Sequence, residues 1–66
     1  MGSYKLQFFG DDDRIAASIS INALSEEAAV HTATHMLQNT RHALVEVWEG
    51  ANLLHLVGRN EERKLA

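Results

Sequence analysis

Three side chains able to ligate a metal, Glu27, His31 and His35, fall at intervals of four along one stretch of the chain. On a helix that spacing stacks them on one face, the geometry that lets two imidazoles reach one ion. The set is incomplete as a zinc peptidase: HTATH lacks the glutamate after the first histidine that such an enzyme uses as general base. An exposed polar helix face without a metal is the favoured reading of the same residues, and His42 joins them only if the chain beyond the helix folds back along it. Asp11, Asp12 and Asp13 run together without the alternating ligands, central glycine and closing glutamate of a calcium loop, and so read as a solvated turn. Glu46 and His55 oppose each other if the stretches around them form a hairpin, and a carboxylate beside an imidazole is a potential acid–base pair. No cysteine, no G-x-S-x-G and no glycine-rich phosphate cradle accompanies them. The expectation is a protein without catalytic residues and without a cofactor.

Composition narrows the rest. At 66 residues the chain is one small domain, and a net charge of −3 with 45% hydrophobic residues sets it apart from disordered sequences. It has neither cysteine nor proline, so the disulfide and thiolate-metal staples that rescue very small domains are missing. Nine of the apolar residues are alanines, which leaves few large side chains to offset the ordering of the backbone. Self-association is the expected remedy. A pI of about 5.7 with only six basic residues gives no electrostatic footprint for phosphates, which disfavours nucleic acid. The longest uninterrupted apolar runs are two or three residues, which excludes a membrane-spanning helix and a secretory leader and makes the cytoplasm the expected location.

The elements that must position these residues follow from periodicity. Tyr4, Leu6 and Phe8 alternate with Lys5 and Gln7, and Ile15, Ala17, Ile19 and Ile21 repeat the pattern, so two strands flank a turn at residues 10–13. Pairing Phe9 with Arg14 sets Phe8 opposite Ile15, Leu6 opposite Ala17 and Tyr4 opposite Ile19. Ser25 is a natural N-cap with Glu26 and Glu27 in the first turn. Ala29, Val30, Ala33, Met36 and Leu37 form the apolar stripe of a helix, which should end at residues 38–40 with Asn39 in a left-handed stop. A second hairpin, 42–48 and 52–57 around Gly50 and Ala51, sets Val47 against Leu54, Val45 against Leu56, Trp48 against Leu53 and Glu46 against His55. The predicted fold is α+β, a ββαββ arrangement with a four-stranded, mainly antiparallel sheet and one helix packed on one face. Residues 1–58 make up the domain, and the charged tail 59–66 is expected to fray.

Tyr-x-Leu-x-Phe leading into an acidic turn and Arg-Ile, a short alanine-bearing helix, and V-E-V-W-x-G-x-x-L at positions 45–53 together resemble a group of short bacterial proteins of unknown function. The likeness spans residues 4–59, with Trp48 and Gly50 its rare letters. Asn52 stands where that pattern usually has a basic residue. The resemblance implies the fold and carries no chemistry.

The second hairpin is apolar on both faces, and the chain holds one helix to cover them. The functional expectation is therefore a small homodimeric interaction module that docks a copy of itself, or another protein, through the uncovered face. That surface would be formed by Phe9, Leu44, Glu46, Trp48, Leu53, His55 and Val57, with Trp48 as anchor. The alternative is a metal- or small-ligand-binding protein using Glu27, His31 and His35 or the groove beside Trp48.

Overall fold

The computed structural model describes residues 2–58 and the strand at 62–64. The elements run β1 (Gly2–Phe9), β2 (Ile15–Ala23), α1 (Glu26–Gln38), β3 (Leu44–Glu49), β4 (Asn52–Gly58) and β5 (Glu62–Lys64). The strands form one sheet in the order β2-β1-β3-β4-β5, with every neighbouring pair antiparallel. The ββαββ core is therefore as expected. Beyond it, the composition of the tail pointed to fraying, whereas residues 62–64 add a short strand against His55–Val57; residues 59–61 and 65–66 lie outside the described residues.

α1 is shaped by its sequence. Ser25 has extended backbone geometry and its Oγ accepts the Ala28 N–H at 3.1 Å, while Glu26 and Glu27 occupy the positive end of the helix dipole. Ala29, Val30, Ala33 and Leu37 are buried and Met36 packs against them. The two alanines have no exposed surface, so the helix lies close on the sheet. Its far end differs from the expected left-handed stop: Asn39 has φ −99°, and its Nδ2 donates to the His35 carbonyl at 2.9 Å. Thr40 closes the last turn by donating both its N–H and its Oγ1–H to the Leu37 carbonyl.

The core lies between α1 and one face of the sheet. Tyr4, Leu6 and Phe8 of β1, Val45 and Val47 of β3, and Leu54 and Val57 of β4 are buried there. Ala17, Ile19, Ile21 and Ala23 of β2 pack against it from the edge and are only partly buried.

Two registers depart from simple alternation. In the first hairpin the partners are Phe8 with Ala17, Leu6 with Ile19 and Tyr4 with Ile21, two residues from the expected pairing, with a bulge beside Phe8 and Phe9. The turn accounts for one residue of the displacement, pairing Phe9 with Ile15 where Arg14 was expected, and the bulge, at which Ala16 has no partner in the β1 register, accounts for the other. The Asp13 N–H donates to the Gly10 carbonyl, Asp13 itself sits at φ 63°, and the Asp12 carboxylate accepts the Arg14 N–H. A turn followed by a left-handed residue is the three-residue hairpin loop that brings a bulge with it. Because the slip is even, every side chain of β2 beyond the bulge keeps its expected face.

In the second hairpin Trp48 pairs with Leu53 as expected. A bulge then sets Val47 opposite His55, Glu46 opposite Leu56 and Val45 opposite Val57. Here the slip is a single residue, so the rest of β4 changes sides. The turn carries Gly50 at φ 60° as the first of two loop residues, the position that a two-residue hairpin connection of type II′ reserves for glycine.

Candidate protein interface on the open sheet face

Alternation along the strands sends Phe9 of β1, Leu44, Glu46 and Trp48 of β3, and Leu53 and Leu56 of β4 to the face opposite α1. Phe9 pairs with Leu44, and Trp48 pairs with Leu53 across the hairpin and with Lys5 on the other side. All of these apolar residues are half-buried. The indole is held in place on that surface: its Nε1–H donates to Glu46 Oε1 at 3.0 Å, and Lys5 Nζ stands 5.7 Å from the ring centroid. The result is a positioned aromatic side chain bordered by one carboxylate, one ammonium group and a set of leucines.

Two residues expected on this surface are elsewhere. His55 and Val57 face the helix, His55 only 9% exposed and Val57 a core residue. The bulge at Leu54 is the reason, since it rotates β4 by one position and turns Leu56 outward in their place. No local pattern in N-L-L-H-L-V-G marks that bulge, and Leu56 was therefore hidden from a reading by alternation.

The same rotation separates the supposed acid–base pair. Glu46 bonds to Trp48 on the open face, whereas His55 Nε2 lies 2.7 Å from Glu26 Oε2, with the carboxylate as acceptor. That contact ties the first turn of α1 to β4 across 29 positions of sequence. Nearby, Tyr4 is 6% exposed. Burial raises its phenol above the ordinary value of 10.0, and the carboxylates of Glu49 and Glu26 add to the effect. Tyr4 of β1 feels the Glu26 carboxylate, and the His55–Glu26 contact is what joins α1 to β4.

The metal reading does not find its geometry. Among the described residues no group of three histidine, aspartate or glutamate side chains is placed to hold one ion. Glu27 and His31 line an open depression of about 450 Å³ with Ser25, Ala28 and Thr32. His35, a turn further on, meets Asn39 Nδ2 at 3.3 Å instead. His42 is turned to the sheet, its ring 5.4 Å from that of Phe8. Asp11, Asp12 and Asp13 are exposed in their turn.

No protein family, curated protein or solved structure matches the chain. Among the described residues, no helix is long and apolar enough to cross a membrane.

Proposed function

We propose that the protein is a small, non-enzymatic interaction module of the cytoplasm that docks a second copy of the same chain through its open sheet face. The observation that carries this reading is Trp48, fixed by Glu46 and Lys5 amid Leu44, Leu53 and Leu56 on the side of the sheet away from the helix. A positioned tryptophan ringed by aliphatic side chains is the composition of an interface centre, where truncation typically costs 2 kcal/mol or more, as an order of magnitude. A second copy is favoured over an unrelated partner by charge. Lys5 and Glu46 share this face, so a two-fold arrangement offers each carboxylate an ammonium group from the other protomer and the surface is complementary to itself. The pattern shared with short bacterial proteins of unknown function is compatible with this role and assigns no reaction.

Light scattering tests the reading. At low micromolar concentration the expected mass is twice the 7.3 kDa of one chain, and Trp48→Ala is expected to restore the single-chain mass while circular dichroism stays unchanged. Leu56→Lys, on the same face but outside the indole's hydrogen bond, provides a second variant with the same expected outcome. A folded single chain in the wild type would reject self-docking.

A further inference from the structure

The sheet has two edges, and they are built differently. β5 is only three residues long, and so short an edge offers little to an added strand. β2, the other edge, runs for nine residues as IAASISINA, with neither a charge nor a proline. One side of its backbone is bonded to β1, and its alternate N–H and C=O groups point away from the sheet. Such a strand is a template for pairing.

We propose that β2 is a second interface, separate from the open face, at which the β2 strand of another copy adds antiparallel and edge to edge. Three observations identify a second copy as the occupant. First, β2 is self-complementary. About a two-fold axis at Ile19, Ala17 meets the partner's Ile21 on the helix side, while Ser18 meets the partner's Ser20 on the other side, so apolar residues oppose apolar ones and hydroxyls oppose hydroxyls.

Second, Ile19 and Ile21 are covered by α1 from one side only and remain partly buried. Antiparallel pairing about an axis normal to the sheet puts both helices on one side and covers these residues further. Third, Ile15 at 57% and Leu24 at 81% exposure are the large exposed hydrophobics of the described residues, and they flank β2 at its opposite ends. The same axis brings Ile15 to the end of the partner's β2 that carries Leu24, once at each end. Two copies joined this way share one continuous sheet and one enlarged open face. If the two-fold axis of docking through that face crosses the edge axis at right angles, the two contacts together close four chains into a dihedral assembly.

Amide hydrogen exchange of the full chain, followed residue by residue by NMR at low micromolar and at submillimolar concentration, reads this edge directly. In a lone protomer the outward amides of β2 exchange freely while the alternate set bonded to β1 is protected. Edge pairing is expected to slow the outward set by about tenfold or more at the higher concentration. Ser18→Lys/Ser20→Lys, which puts like charges opposite one another across the axis, is expected to abolish that slowing. Outward amides whose exchange does not change with concentration, or concentration-dependent protection confined to residues outside β2, would overturn the proposal. Docking through the open face leaves these amides free, so failure at the edge and failure at Trp48 are told apart by the same spectra.

Discussion

The two faces of the sheet use the same strands, and almost the same kinds of residue, to different ends. On the helix side, Leu6, Val45 and Val47 have no exposed surface and sit beneath Ala29 and Ala33, themselves fully buried. On the other side, Leu44, Leu53, Leu56 and Trp48 are half-buried, with charged groups of both signs beside the indole. The helix face follows the usual logic of a core, with its large apolar side chains buried between α1 and the sheet. The open face has the apolar content of a core and the charged border of an interface. Among the described residues one short helix covers the first face and leaves the second half-buried.

Substitutions that separate the faces sharpen this contrast. The largest effect is expected from Leu6→Ala, which opens a cavity under α1 and should lower the unfolding free energy in urea by about 2–5 kcal/mol, close to the whole stability of so small a domain. Leu53→Ala removes the same atoms from the open face. Measured at the lowest workable concentration, it should cost less than about 1 kcal/mol. Equal losses for the two would erase the distinction.

Next is Glu26→Ala, which removes the acceptor of the His55 contact joining helix and sheet. A loss of about 1–2 kcal/mol is expected, moderated because the carboxylate is partly exposed, with the mass of the assembly unchanged. Ser25→Ala deletes the helix cap and should cost about 1 kcal/mol, again without altering association.

The smallest effect is a dependence on pH. Tyr4 is the only tyrosine in the chain, and its phenol is raised above 10.0 in the folded state by burial and by Glu49 and Glu26. The folded state therefore holds its proton more tightly than the unfolded one. The corresponding stability is fully present below pH 10 and is lost as the pH rises through the raised value. Ultraviolet titration should show the phenol ionising above its ordinary range, and its contribution to the urea midpoint should be lost in that alkaline window. A phenol that titrates at its ordinary value would place Tyr4 outside the buried face.

The residues legible in the sequence were those whose neighbours are local. The period of two in Tyr4-Leu6-Phe8, the cap at Ser25 and the stripe from Ala29 to Leu37 depend on contacts within a few positions, and each element appears where its pattern placed it. Trp48 opposite Leu53 was accessible for the same reason, being fixed by the tight turn at Gly50. What escaped was set at longer range. The bulge at Leu54 moved His55 and Val57 into the core and Leu56 out of it, and the partner of His55 is a glutamate 29 positions earlier. The first hairpin was displaced as well, by one residue at the turn with its left-handed Asp13 and by another at the bulge beyond Ile15, but an even slip does no harm to the assignment of faces, whereas an odd one reverses it. The charged tail gave no strand periodicity, and its short strand depends on the edge that β4 offers.

The single tryptophan permits the most direct test of the open face, because its fluorescence reports from the centre of the proposed contact. Acrylamide quenching is measured on the wild type and on Leu53→Lys across a wide dilution series. The wild type is expected to be quenched less than the variant at high concentration and to converge with it on dilution, as docking gives way to free protomers. Identical quenching of the two proteins at every concentration would contradict docking through Trp48.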